Sequence, residues 1–414
     1  MNSAGMTGTE ARGLKILAIH RFYWPDTPPY ASMLRAIVHR WVNDGHQVDV
    51  LSSQPSYKAG LDNEKQLGKE VVDGATVYRM TLPSEAGRPL IRMLNALRLG
   101  LGIFIRAVLL GRYDVIMVST SPPVLAGWFT ALAARLSGAR FVYHCMDVHP
   151  EIGRISGEFR NPVVYRQLAR MDAWTCRQAK PVVVLSQDMA DSLDRRSESG
   201  AVPQTAVINN FSLPSESEAV GDLPFPWPNE PFVLLFAGNI GRFQGLDVLM
   251  NAMAQLCERS DIRLLMMGEG TEKAALEKQA AESGARVSFV GHHSVSVAKA
   301  AMKKAGAGFV SLVPELYRYA YPSKTMTYLE QGCPVLVAVE PESRLAADIV
   351  ENSAGLAVQG GDADELAQAI ARLADDDKQL QKMKENAAGL AEKAFSPEVV
   401  LARWASLVRP VDKN

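Results

Sequence analysis

The sequence predicts an α/β protein built from two successive doubly wound domains. Three observations carry that reading. Short apolar runs alternate with stretches of helical periodicity, the alternation breaks at a proline-rich segment and restarts beyond it, and glycine clusters fall where strands give way to helices. A chain of 414 residues is long enough for two or three domains, and its 47% hydrophobic content gives each a core.

Taken in order, "LKILAIH" reads as a buried strand, "RFYWPDTPPYAS" as a long loop, and "MLRAIVHRWVNDG" as a helix with Gly45 at its C-cap. Strand "HQVDVLSS" follows, then strand "YDVIMVST", helix "LAGWFTALAARLSG", strand "ARFVYHCMD", a helix through "VYRQLARMDAWTCRQA" and strand "PVVVLS". Strand–helix–strand alternation of this kind means a parallel sheet with right-handed crossovers. The first domain is placed at 14–210, after a flexible tail at 1–13. The stretch at 211–230 contains "FSLPSESEAVGDLPFPWPNE" and reads as a linker. The second domain, 231–394, repeats the pattern from "FVLLFAG" to "CPVLVAV", and 395–414 supplies a last amphipathic helix returning towards the first domain. Two such domains imply an interdomain cleft, with the carboxyl ends of both sheets facing it.

Composition excludes some functions. A formal net charge of -1 is not that of a general nucleic-acid binder. Cys145, Cys176, Cys257 and Cys333 are scattered without a C-x-x-C spacing, so they read as reduced core residues. "MNSAGMTGTEARG" has no apolar core of a secretory signal, which points to a cytoplasmic location. The segment from Arg88 to Asp114 is apolar but carries Arg88, Arg92, Arg98, Arg106 and Arg112, too interrupted for a membrane span. Leu97, Leu101, Phe104, Ile105, Val108 and Leu109 share one helical face. Two readings fit, a helix packed on a sheet and a basic amphipathic helix on an anionic membrane surface, and both can hold at once because a core helix can expose an arginine-rich end.

The candidate chemistry lies at strand ends. "FAGNIGRFQGLDVLM" places Gly238, Gly241 and Gly245 between a strand and a helix, where backbone can approach a ligand, with Arg242 able to pair with a phosphate. A tight turn with a solvated arginine is the plainer alternative. "MMGEGTEK" sets Gly268 and Gly270 in a similar place, but Lys273 stands where a dinucleotide fingerprint has its third glycine. "HCMDVHPEI" ends a strand with His144, Asp147, His149 and Glu151. A metal set, a catalytic or hydroxyl-binding group and a satisfied polar loop are all open there. "GGDADELAQAI" is best read as a capped helix start, Asp362 with Glu365. In "YPSKTMTYLEQGCPVLVAV", Lys324 enters the first turn of a helix, where a cation opposes the macrodipole unless an anion binds there.

In their order and spacing, "HCMDVHPE", "VVLSQDM", "VINNFSLP", "AGNIGRFQGLDVLMNAM", "LLMMGEG", "VSFVGHH" and "YPSKTMTYLEQGCPVLVA" resemble the retaining family-4 glycosyltransferases of GT-B fold. The resemblance is nearest to bacterial enzymes of O-antigen, capsule and exopolysaccharide assembly, including colanic-acid and fucosamine-transfer types. It implies hexosyl transfer with retention, without a metal or other cofactor, from a nucleotide-sugar donor that is UDP-linked. The implied acceptor is a polyprenyl-diphosphate-linked saccharide, with the enzyme peripheral on the inner face of the cytoplasmic membrane through the Arg88–Arg112 region.

Residue by residue, the loop Gly238, Asn239, Gly241 and Gly245 would lie along the diphosphate, with Gly268 and Gly270 beside it. Val287 and Phe289 would lie near the base, and His144 and Asp147 on the acceptor side. Tyr319 and Thr327 occupy the places of a glutamate pair common in the family, while Asn239 and Gln244 replace its usual arginine and lysine. Lys324 and Arg242 are then the cations left for the diphosphate, with Ser323 capping the helix or donating to a phosphate oxygen. The competing expectations are a nucleotide-sugar epimerase of the same two-domain fold and a two-domain sugar-binding receptor.

Overall fold

The computed structural model describes residues 13–26, 29–55, 65–85, 88–196, 201–212 and 222–409. Most of the expected tail and the middle of the expected linker, 213–221, lie outside these residues. The chain divides into two compact units. One holds the described residues up to His144, Gln178–Pro181 and those from Trp404 onward; the other holds Cys145–Arg177 and the described residues of Val182–Arg403.

In the first unit the chain runs β1 (Lys15–Ile19), α1 (Pro29–Asn43), β2 (Gln47–Ser53), β3 (Lys69–Val72) and β4 (Ala75–Met80). It continues through α2 (Pro89–Phe104), β5 (Val115–Ser119), α3 (Leu125–Ser137) and β6 (Arg140–Cys145). The strands lie in the order β3-β4-β2-β1-β5-β6. Ile16, Leu17, Ala18 and Ile19 of the inner strand β1 are fully buried, as a parallel strand covered on both faces requires. All neighbours here are parallel except the β3–β4 hairpin, which the sequence reading missed. Its turn is Asp73-Gly74, with φ of 47° and 82°, the left-handed pair that suits the twist of a two-residue hairpin.

The second unit opens with α4 (Glu151–Ile155), α5 (Pro162–Gln178), β7 (Val182–Val184), α6 (Gln187–Arg195) and β8 (Thr205–Val207). Next come β9 (Phe232–Ala237), α7 (Leu246–Gln255), β10 (Ile262–Met267), α8 (Lys273–Ser283), β11 (Val287–Gly291), α9 (Val295–Lys304) and β12 (Ala307–Ser311). It closes with α10 (Lys324–Glu330), β13 (Val335–Ala338), α11 (Arg344–Glu351), β14 (Gly355–Val358), α12 (Ala363–Asp375), α13 (Asp377–Leu390) and α14 (Pro397–Leu407). Its six-stranded sheet is parallel in the order β11-β10-β9-β12-β13-β14. Phe236, Leu249, Met266, Phe309, Leu336 and Ile370 lie in its core. Asp362 does cap α12, accepting from the backbone N–H groups of Asp364 and Glu365.

The compact units are drawn differently from the expected domains, whose boundary was at 210. Backbone contacts explain the grouping of residues 145–196 with the later chain. The Val148 N–H donates to the Tyr319 carbonyl at 2.8 Å, Asp147 bridges Ala320, and the Arg344 N–H donates to the Asp188 carboxylate at 2.8 Å.

Helix α2 corrects two expectations. The inward face of α2 and of the π-helical segment Ile105–Leu110 that continues it is Asn95, Ala96, Leu99, Ile103 and Ala107, so the face marked by Leu97, Leu101, Ile105 and Leu109 does not pack on a sheet but is exposed. Gly100 sits against the Phe129 ring and Gly102 against Met80, contacts that a larger residue would obstruct. Leu90–Leu110 is also long and apolar enough, by length and composition, to cross a membrane, because its arginines are spaced widely enough to leave a nearly uncharged window. Arg106 turns inward to Asp49 at 2.8 Å and stacks on Tyr78, so it is not a surface cation.

Candidate functional site

The short helix α10 is fixed to β9 through one side chain. The Tyr328 hydroxyl accepts from the Ala237 N–H at 2.7 Å and donates to the Leu235 carbonyl at 2.9 Å. Gly308 leaves the space that the Tyr328 ring occupies. This attachment sets Lys324, the first residue of α10, against the end of β9. Its Nζ is buried with no hydrogen-bond partner and lies 3.8 Å from the centroid of the Phe236 ring. A Cβ on Gly238, whose φ is +145°, would come within 3.2 Å of that nitrogen, so the glycine gives the cation its room. Burial alone lowers the ammonium pKa from 10.5 to about 7. A cation–π contact offsets part of the lost hydration but not all of it. This nitrogen would be satisfied by an anion.

The glycine loops adjoin this position, and the structure changes the meaning of two glycines. Gly268 and Gly270 are there because loops meet: a Cβ on Gly268 would strike the Gly238 carbonyl, and one on Gly270 the Ile240 carbonyl. Backbone bonds join the same two segments, Gly238 to Met267 at 2.9 Å, Ile240 to Glu269 at 2.9 Å and Glu272 to Ile240 at 3.1 Å. Close approach by a ligand is therefore not needed to account for either residue. The loop after β9 is braced further by the Gln244 side chain on the Gly241 N–H, 3.2 Å, and by Ser311 on the Gln244 carbonyl, 2.5 Å. Gly245 takes the left-handed conformation, φ +55°, before α7. The Asn239 amide lies over Gly241, within 2.6 Å of where a Cβ would stand.

The remaining candidates fall into distinct surroundings. Arg242 is 75% exposed and pairs with Glu272 at 3.3 Å, a contact weak enough to exchange for a phosphate. Ser323 is exposed and makes no capping bond, so the expected capping role is not taken up. Thr327 is half-buried on α10, and Val287 and Phe289 are half-buried on the edge strand β11, packed against the core. Asp147 is held by its bridge to Ala320, four residues before Lys324, and burial raises its carboxyl pKa to about 6. Glu151 is occupied structurally: Arg196 bonds it at 2.7 Å through Nε while also binding Asp172 and the His149 carbonyl. No group of three His, Cys, Asp or Glu residues placed to hold a metal is found among the described residues. All four cysteines are free thiols.

In the first unit His144 is buried and its Nδ1 lies 2.7 Å from the Tyr30 hydroxyl. Burial brings its pKa down to about 3, so the ring is neutral. The sequence reading missed Tyr30, His20 and Ser119 around it, and Phe236 and Tyr328 around Lys324. The polar residue closing each apolar run ("LAIH", "VIMVST", "FVYHC") was the available signal for the former group.

Two successive parallel, Rossmann-like α/β units with glycine loops at strand ends define the GT-B class of fold. Residues 30–210 match the family model described as glycosyl transferase 4-like domain, and residues 224–389 that of glycosyl transferases group 1. The chain belongs to this glycosyltransferase family. It is 25% identical over 308 residues to the probable glycosyltransferase WbjE of Pseudomonas aeruginosa, covering 72% of this chain and 75% of the relative. It is 24% identical over 363 residues to the putative colanic acid biosynthesis glycosyl transferase WcaI of Escherichia coli, covering 83% and 88%. Among solved structures, HepE from Anabaena in complex with UDP is similar with a TM-score of 0.66 at 17% identity, covering 95% of this chain and 99% of that one.

Proposed function

We propose that this glycosyltransferase moves a hexosyl group from a UDP-linked donor, with retention and without a metal, to a membrane-linked saccharide in surface polysaccharide assembly. The buried, unpaired Lys324 Nζ against Gly238 carries the reading, because a diphosphate is the anion that such a site suits. Negative charge develops on the departing diphosphate in the transition state, and a preorganised cation stabilises it there. Arg242 supplies a second charge from the loop after β9, and Ser323 a donor. Asp147 and His144 serve the acceptor side, and the leaving phosphate takes the acceptor's proton on the front face. UDP bound to HepE and the colanic-acid name of WcaI support the donor and pathway classes.

A peripheral place on the inner face of the cytoplasmic membrane is supported by α2. Leu90, Met93, Leu94, Leu97, Leu101 and Leu109 are exposed along it, with Arg88, Arg92 and Arg98 exposed beside them. Co-sedimentation with anionic vesicles should fall when Leu97 and Leu101 are both replaced by Glu. Unchanged binding would remove α2 as the docking element.

The donor site is tested by thermal stabilisation with UDP, GDP, CDP, ADP and dTDP. A ligand at 100 times its Kd adds ~2.7 kcal/mol to stability. UDP should stand out and lose its effect in Lys324→Ala. Equal indifference to all five would refute the diphosphate site.

A further inference from the structure

Helix α5 leaves most of its surface uncovered. Of its 17 residues only Asp172, Thr175 and Cys176 are buried, all towards its end, and the stretch 162–171 buries no side chain. Its start is nonetheless well made. The Asn161 side chain accepts from the Val163 and Val164 N–H groups at 2.9 and 3.3 Å, and Pro162 opens the first turn. Further along, Arg196 holds the Asp172 carboxylate at 2.6 Å, and the Tyr165 hydroxyl reaches Glu151 at 3.4 Å. The uncovered half is therefore a fixed surface.

That surface has an apolar band and a basic flank. Val163, 59% exposed, shares a helical row with half-buried Met171 and Trp174, and Val164, 47% exposed, shares one with half-buried Leu168. Arg166, Arg170 and Arg177 run beside the band, and Arg154 and Arg160 stand just ahead of the helix; all five are exposed. Between positions 151 and 178 the only exposed acidic residue is Glu158, because Glu151 and Asp172 are drawn inward onto Arg196. No acid stands in the first turn, where the macrodipole favours one, and Arg160 and Arg166 bracket it instead.

We propose that α5 is a docking helix for an anionic lipid surface, with its arginines on the headgroups and its Val163–Val164 end at the acyl boundary. Up to Arg177 it lies in the second compact unit, whereas α2 lies in the first, so it is a separate element from the docking helix named above. It rests on neither the sugar-transfer reading nor α2.

Charge and side-chain size select the occupant. A surface crowded with phosphates answers five arginines with one exposed acid among them, and guanidinium groups take phosphate oxygens in pairs. A groove in a partner protein would require large anchors projecting at i, i+4 and i+7. Here the fully presented apolar residues are two valines, and Leu168, Met171 and Trp174 are half-sunk. A shallow band with a half-covered indole suits the boundary between headgroups and acyl chains, and arginine stems cover apolar surface while their heads stay wet.

The test uses the full chain and sedimented phosphatidylcholine vesicles, with and without about a third phosphatidylglycerol. Arg160→Gln, Arg166→Gln and Arg170→Gln together should lower partitioning onto the anionic vesicles by about tenfold or more, and leave binding to phosphatidylcholine alone unchanged. Val163→Asp with Val164→Asp should lower it too; a helix start welcomes acids, so this pair decides the matter if the arginine variant is unstable. The pair Leu97→Glu and Leu101→Glu is measured alongside. Loss of binding with that pair alone would give the membrane contact to α2 and overturn the proposal. Equal loss on both kinds of vesicle would overturn the recognition of charge. A monomer–dimer equilibrium abolished in the arginine variant, with lipid binding unchanged, would give the face to a second copy of the chain and overturn it as well.

Discussion

Lys324 and His144 are both buried nitrogen groups at strand ends, yet their surroundings treat charge in opposite ways. Lys324 has an aromatic ring beneath it, a glycine beside it and no hydrogen-bond partner for its Nζ. His144 has the Tyr30 hydroxyl 2.7 Å from its Nδ1, and burial keeps the ring neutral. The first arrangement leaves a cation unstable until an anion arrives. The second is a neutral hydrogen-bonding group that burial keeps uncharged. Burial alone does not state a residue's use; what the fold leaves unpaired does.

The comparison is broken most directly at the lysine. Lys324→Ala should lower kcat by about 10²–10³, the usual effect of removing one preorganised donor to developing negative charge. Near-normal turnover would make Lys324 an ordinary buried side chain. A smaller effect concerns the frame around it. Gly268→Ala should destabilise the second unit by about 2 kcal/mol or more, since it drives a Cβ into the Gly238 carbonyl at a φ of +150°. A thermal scan matching wild type would show that the two loops are not wedged together.

The subtlest effect is one of pH. With Lys324 titrating near 7 in the fold and near 10.5 when unfolded, the unfolded chain holds the extra proton between those values. Folded stability contributed by this group therefore rises with pH across that window. Lys324→Met should be more stable than wild type by a margin that is constant below pH 7 and shrinks towards pH 10.5. Affinity for UDP should in turn fall by up to tenfold per pH unit above 7 in wild type, since binding must then take up a proton. Denaturant titrations and binding isotherms at matched pH check both, and parallel pH curves for the two proteins would contradict the buried-charge account.

The sequence exposed a good deal of this. Apolar runs such as "KILAI" and "FVLLFA" announced buried parallel strands, and they became β1 and β9. The β3–β4 hairpin was also written plainly, as Asp73-Gly74 between alternating residues, and was passed over. Helix α2 was legible as a helix but not in its orientation. An apolar stripe looks the same whether it faces a core or a lipid, and the inward face here carries Ala96, Leu99 and Ile103, with Gly100 against the Phe129 ring of α3. Glycine spacing located the loops yet could not say what approaches them: Gly268 and Gly270 admit backbone carbonyls. The row His20, Ser119 and His144 is spread over more than a hundred positions of sequence and becomes visible only through strand register.

The contact between the loops after β9 and β10 has a consequence for how such a site can change. Carbonyls of one segment occupy the space that side chains of the other would need. Neither loop can therefore be exchanged, lengthened or decorated alone, and variation in one is inherited jointly with the other. An engineer altering this region would have to transplant residues 238–245 and 267–272 as a single cassette. Diversification of the site is then free only at side chains outside the seam, such as Asn239 and Arg242.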